Sequence, residues 1–116
     1  MSLHRFKIVI YVPLTHEQAV KQAGPTPGTL KVFQAGAGQI GAYKDVSFST
    51  PGTGGFTPLE GAHPAIGSVG KGETVDEVRI EVTAVGTEVV REAVRRVKAV
   101  HPYEEVVVDV YRLEEF

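Results

Sequence analysis

The 116 residues include no cysteine, which excludes disulfides, thiolate metal ligation and redox chemistry on the protein's own thiols. No apolar run approaches the roughly 18 residues that suggest a membrane span, and no apolar stretch of signal-peptide length opens the chain. The expectation is a soluble, cytoplasmic protein with no membrane partner. Neither sign of charge dominates: 12 basic and 14 acidic residues leave a formal net charge of −2, no footprint for nucleic acid. The one basic cluster, Arg91, Arg95, Arg96 and Lys98, shares a helix with Glu88 and Glu92 and reads as a solvated face. What is present is length for one domain, residues 1–116, able to bury roughly two-thirds of its unfolded surface.

Hydrophobic period places the elements. Phe6, Ile8, Ile10 and Val12 alternate with Lys7, Val9 and Tyr11, a strand with one apolar face, ended by Pro13. Thr15 with Gln18 forms a capping box, so a helix is expected over Thr15 to Ala23, stopped at Gly24-Pro25 and resuming at 29 to 35. Tyr43 to Thr50 reads as a second strand. Pro51 to Gly55 then reads as a hairpin turn with a short return piece, Phe56 to Glu60, held at an edge by Pro58. A glycine-bearing loop follows over 61 to 74. Val78, Ile80 and Val82 mark a core strand; Val90, Ala93, Val94, Val97 and Val100 mark an amphipathic helix closed by Pro102. Val106 to Leu113, apolar on both faces apart from Asp109 and Arg112, is expected inside the sheet or at a subunit contact. The order β-α-β-β-α-β defines an α+β, ferredoxin-like sandwich with an elaborated central hairpin.

Gly36 to Gly41 spells G-x-G-x-x-G, the dinucleotide fingerprint. That motif requires a strand before it and a helix after it, so that the pyrophosphate meets a helix N-terminus. Here a helix precedes and a strand follows. The glycines are therefore expected to serve a helix-to-strand turn through positive φ and close backbone approach, and no cofactor is expected.

Three stretches carry polar groups suited to a ligand. His101-Pro102-Tyr103-Glu104-Glu105 places an imidazole beside carboxylates, making His101 and Glu104 weak metal candidates, below the three or four ligands of a dedicated site. The alternative is a helix-ending turn in which His101 meets the negative end of the dipole. Ser47, Ser49, Thr50 and Thr53 set hydroxyls near glycines that would cradle an anion, without the lysine of a phosphate loop. The third is the turn of Gly36, Gly38 and Gly41 with Tyr43. Glu60 and His63 flank Gly61 with nothing to orient them, and no nucleophile with an adjacent base is readable. No catalytic residue is assigned.

Ala35 to Tyr43, Ser47-Phe48-Ser49-Thr50, Gly52-Thr53-Gly54, Pro58-Leu59-Glu60-Gly61, Val78-Arg79-Ile80-Glu81, His101 to Glu105 and Asp109-Val110-Tyr111, taken together, resemble one family. The chain resembles a free-standing YqfO-type insert domain of Nif-three-like (NGG-one-interacting factor) proteins, from residue 5 onward. It departs from the pattern at Ala42, where the family commonly has Asn, at Pro25 to Gly28, and at Val106-Val107. The resemblance implies a fold similar to CutA and PII signalling proteins, which assemble as trimers. It also implies a Nif-three-like core protein as a partner, while the two-metal core of the larger proteins is not part of the resemblance.

Two functions follow. The first is a non-catalytic oligomerisation or regulatory module that pairs copies of itself, as a trimer, through strand edges and the middle hairpin. The second is a PII-like or CutA-like sensor in which Gly36, Gly38, Gly41, Tyr43, Ser47, Ser49, Thr50, Thr53, His101, Tyr103 and Glu104 bind a small anion or divalent metal at a subunit cleft.

Overall fold

The computed structural model describes residues 3–14, 27–101 and 105–116. Over these the elements run β1 (Arg5–Pro13), α1 (Pro27–Gln34), β2 (Phe48–Phe56), β3 (Glu73–Val85), α2 (Thr87–Val100) and β4 (Val108–Leu113). The strands form one antiparallel sheet in the order β2-β3-β1-β4. This is the expected ferredoxin-like arrangement. The expected helix at Thr15 to Ala23 lies outside the described residues. Pro27 opens α1 where the sequence reading placed it in an interruption, because the first helical position needs no N–H.

The core is the inner face of the two central strands. Ile8 stands opposite Val82, Ile10 opposite Ile80 and Val12 opposite Val78, and these meet Val32 of α1 and Val90, Ala93 and Val97 of α2. Each such aliphatic burial contributes about 1.5–3 kcal/mol. Val9 is also fully buried, but on the opposite, outer face. There it stands between Glu81 and Asp109, on a face where Lys7 reaches Glu81 at 3.7 Å.

Four expectations about strands are corrected. Pro51 to Gly55 does not turn: it lies within β2, every residue of Phe48–Phe56 paired with β3, and the reversal comes in the loop 57–72. Glycine and proline, the usual turn residues, are tolerated here because β2 is an edge strand with no inward packing to satisfy. Second, of the two alternatives for the last strand the internal one is excluded, since β4 is an edge strand. Its mixed apolar pattern leaves Val110 and Tyr111 exposed. The second strand also begins at Phe48 rather than Tyr43, and Pro58 is a buried loop residue rather than part of a return strand.

β3 outruns its neighbour. The last rung to β1 is Pro13 opposite Glu77, beyond which Glu73–Asp76 pairs only with Thr53–Phe56 among the described residues. The burial pattern of β3 follows: alternate residues are buried from Val78 to Ala84, and Thr74 and Asp76 on the same face are exposed.

On the far side of the core, α2 begins after Gly86, whose φ of 93° and N–H bond to the His4 carbonyl (2.9 Å) set the entry. Its solvated outer surface carries ion pairs. Glu88 pairs with Arg91, and Glu92 with both Arg95 (2.6 Å) and Arg96 (2.7 Å). The hydrogen bonds from Arg95 and Arg96 lower the Glu92 pKa to about 2.

Candidate functional site

The glycine-rich turn is built from the end of α1. The Gly36 N–H donates to the Phe33 carbonyl (3.0 Å) and the Ala37 N–H to the Val32 carbonyl (3.2 Å), a Schellman closure with Gly36 in the positive-φ position. Ala37 and Val32 are both buried, completing its apolar contact. The Gly38 N–H then bonds the Thr83 carbonyl (2.7 Å), and the Gly38 carbonyl accepts from Val46 (2.8 Å). Gly38 has φ +81°, and a Cβ there would lie 2.7 Å from the Phe33 ring. Ile40 and Tyr43 exchange two backbone bonds across Gly41 and Ala42. The N–H groups of 36, 37, 38, 40 and 43 are thus spent on protein carbonyls. These glycines pin α1 to β3.

Thr50 and Thr53 fall on β2, opposite Arg79 and Asp76, with Ser49 between Phe48 and Thr50 and Ser47 just before the strand; all four side chains are exposed. Since Gly38 meets β3 at Thr83, the glycine turn and Thr50 are roughly 13 Å apart along that strand, at about 3.3 Å per residue. One copy of the chain therefore keeps Thr50 and Thr53 away from the glycine turn, while Ser47 follows Val46, which bonds Gly38 in that turn. His101 caps α2. Its N–H bonds the Val97 carbonyl at 3.0 Å, and its Nε2–H donates to the Tyr11 carbonyl at 2.6 Å, tying the end of the helix to β1. Tyr103 and Glu104, with Pro102, lie outside the described residues. Among the described residues no three His, Asp or Glu side chains converge as metal ligands would.

Thr50 belongs instead to a row across the sheet that sequence reasoning did not single out: Thr50, Arg79 and Tyr11, each opposite the next. Arg79 Nη1 donates to the Tyr11 hydroxyl (3.3 Å), its guanidinium carbon stands 5.9 Å from the ring centroid, and Nη2 is 3.9 Å from Glu81. Next to this row the outer face of β2 has only Gly52 and Gly54. The result is a cleft of about 230 Å³ lined by Tyr11, Thr50, Gly52, Glu77 and Arg79 among others. A Cβ at Gly54 would run into the Glu77 side chain, whereas one at Gly52 would meet nothing within 4 Å. The cleft offers a held guanidinium, hydroxyls and a carboxylate over bare backbone. That chemistry suits binding a small polar group. A signal did exist: the period-two alternation of β3 puts Arg79, Glu77 and Glu81 on the face away from the core.

A second hollow, of about 340 Å³, lies where the loop after β2 meets the approach to β4, with Phe56, Pro58, Ala65, Ile66 and Val107 as walls and Glu105 at the rim. It is apolar and lies at the ribbon end of the sheet.

No protein-family model matches the chain. Two curated relatives named "GTP cyclohydrolase 1 type 2 homolog" match it. The Mycobacterium leprae (strain TN) protein is 47% identical over 108 residues, 92% of this chain and 26% of that protein. The Bacillus subtilis (strain 168) protein is 41% identical over 109 residues, 94% and 27%. Among solved structures, a Bacillus cereus protein related to NIF3 superposes with a TM-score of 0.78 at 36% identity, covering 99% of this chain and 27% of that one. B. subtilis GlnK gives 0.52 at 14% identity over 95% and 85%, a likeness of fold alone.

Sheet order, paired helices and long central strands thus define a PII-like α+β domain. Over nearly all of its length the chain is similar to these relatives and to the NIF3-related protein, and it spans about a quarter of the length of the curated relatives it matches. No helix among the described residues is long and apolar enough to cross a membrane.

Proposed function

We propose that this chain is a non-catalytic assembly module of the Nif-three-like family, joining copies of itself as a trimer and serving a regulatory role. The observation that carries this reading is the ribbon of β2 and β3. Beyond the Pro13–Glu77 rung it has no third strand among the described residues, and Thr74 and Asp76 on its inner face are exposed. A two-stranded ribbon is marginal alone, and unpaired strand edges are templates for another chain. Phe48 and Phe56 stand exposed at the two ends of β2, and the resemblance to CutA and PII proteins sets the expected number of copies at three. The name GTP cyclohydrolase 1 type 2 homolog belongs to relatives about four times as long, and no activity is carried over from it.

Native mass spectrometry tests this. A mass of three chains is expected, falling to one when Phe56 is replaced by Lys; a bare monomer, or a trimer indifferent to F56K, sinks the proposal.

The cleft of Tyr11, Thr50 and Arg79 favours a second reading, a sensor for a small anion. Its guanidinium and hydroxyl lie next to the ribbon that the first reading uses for assembly. Calorimetry with nucleotides, inorganic phosphate and divalent metals decides it: heat with an anion that Arg79→Gln removes is expected, and no heat with any of them rejects it.

A further inference from the structure

The outer face of β3 carries charges of opposite sign two residues apart. Glu77 and Arg79 alternate with the buried Val78 and Ile80, so both project from the face away from the core, about 7 Å apart at roughly 3.3 Å per residue. That spacing would let a glutamate and an arginine meet, yet their heads lean in opposite directions. Arg79 turns toward β1 and along β3: Nη1 donates to the Tyr11 hydroxyl at 3.3 Å, the guanidinium carbon lies 5.9 Å from the centre of that ring, and Nη2 stands 3.9 Å from Glu81. Glu77 turns the other way, diagonally across β2, where its carboxylate occupies the space a Cβ of Gly54 would need. Between the two heads the floor is the backbone at Gly52, where a Cβ would meet nothing within 4 Å, with the exposed Thr50 beside it. This is the cleft of about 230 Å³.

The charges around the cleft define what fits it. Lys7 and Arg79 are matched by Glu81 and Glu77, with Lys7 3.7 Å from Glu81, and Asp109 follows in the row of Glu81 and Val9. The cleft therefore holds no surplus of positive charge, and an ion with a negative end alone meets Glu77 as well as Arg79. A molecule with a carboxylate and an ammonium on one carbon satisfies both heads. About 2.5 Å separates its nitrogen from its carboxylate carbon, and a charge-assisted bond of about 2.8 Å at each end spans the remainder. The Tyr11 hydroxyl accepts from Arg79 and keeps its own proton to donate to the carboxylate. Thr50 adds a second hydroxyl, and the bare backbone at Gly52 leaves room for a small substituent on the ligand.

We infer that the cleft over Gly52 is a binding site for a small zwitterionic α-amino acid, its carboxylate on Arg79 and Tyr11 and its ammonium on Glu77. The inference rests on the sensor reading of this cleft and deepens it: the anionic group expected on Arg79 is one end of a ligand with no net charge. Two opposite charges select against simple carboxylates and simple amines alike, since each of those engages one head only. The glycines of β2 then do more than suit an edge strand. A side chain at Gly52 would fill the site, and one at Gly54 would displace the Glu77 carboxylate.

The test follows amide shifts of the isotopically labelled full chain on addition of glycine, L-alanine and L-serine, with acetate, methylammonium and inorganic phosphate as probes of one sign of charge. Saturable shifts at Gly52, Gly54, Glu77 and Arg79 are expected with at least one amino acid, and affinity at least tenfold lower for each of the other three probes. Arg79→Gln and Glu77→Gln should each weaken amino-acid binding at least tenfold, and Gly52→Val, which extends into open space, should abolish it. The Glu77 variant separates the two readings of the cleft by sign. At a zwitterion site E77Q weakens binding, whereas at a plain anion site loss of the carboxylate strengthens it. Acetate or phosphate bound as tightly as the amino acids, and more tightly in E77Q, overturns the inference and leaves the anion sensor standing. Full amino-acid affinity in E77Q or G52V overturns the inference as well, and saturable shifts with none of the probes overturn both readings. The unliganded spectrum of each variant shows that its fold is kept, and should one variant lose it the other two decide.

Discussion

The two halves of β3 share one ladder with β2 and differ in what lies beneath them. From Val78 to Ala84 alternate side chains are buried between β1, α1 and α2; from Glu73 to Glu77 the same alternation carries Thr74 and Asp76, both exposed. Backbone pairing continues without a break across the boundary. Strand formation and burial are thus separable here: hydrogen bonding extends the ribbon, while apolar packing stabilises only the body. One half has a core to stabilise it alone, and the other is suited to lean on a partner.

Substitutions sharpen that contrast. The largest effect is expected in the body: Ile80→Ala removes a side chain that is 1% exposed at the centre of the core and should lower unfolding free energy by about 3–4 kcal/mol. Val75→Ala in the ribbon should change it by under about 0.5 kcal/mol. Urea unfolding of the two variants, at a concentration where the chain is monomeric, checks the pair; equal losses would erase the distinction.

Glycines make the next comparison. Gly38→Ala meets the Phe33 ring at a positive φ, and should cost about 1–3 kcal/mol. Gly52→Ala, in open space, should be neutral or stabilising by about 0.5 kcal/mol. Thermal midpoints measured side by side distinguish a pinned turn from a bare strand.

A smaller effect is expected where helix and sheet are tied: His101→Ala frees the Tyr11 carbonyl, a loss of about 1 kcal/mol. It should also speed amide exchange at the end of α2 while leaving the ribbon unchanged, which exchange mass spectrometry reads directly.

The smallest concerns the surface of α2. The folded pKa of Glu92, about 2, lies below its ordinary value of 4.5. The unfolded chain therefore binds more protons between these values, and the stabilisation is present above about pH 4.5 and lost as pH falls toward 2. Glu92→Gln should flatten a little of the acid limb of the stability profile and leave neutral pH nearly unchanged, because the pair is solvent-screened. An acid titration followed by circular dichroism suffices, and an unaltered limb would refute the assignment.

The body was readable because its side chains obey one period at a time. Period two in β1 and β3 and period 3.6 in α2 named Ile8, Ile10, Val78, Ile80, Val82, Val90, Ala93 and Val97, all buried. That Gly36 to Gly41 form a turn after a helix was readable too, since the helical spacing of Leu30 and Phe33 precedes the glycines. The ribbon was misread for an opposite reason. Pro51, Gly52, Gly54 and Gly55 are turn residues by local preference, and only pairing with a long β3 holds them extended.

The amino-acid order alone dictated the types of β1, β3 and the two helices, their apolar faces and so the α+β class, because these rest on spacings within a few residues. The tertiary structure alone decided that β4 is an edge, that Arg79 stands between Thr50 and Tyr11, and that Arg5 lies beside Leu113. Those facts depend on register between strands distant in the chain, which is fixed only when the shared core closes.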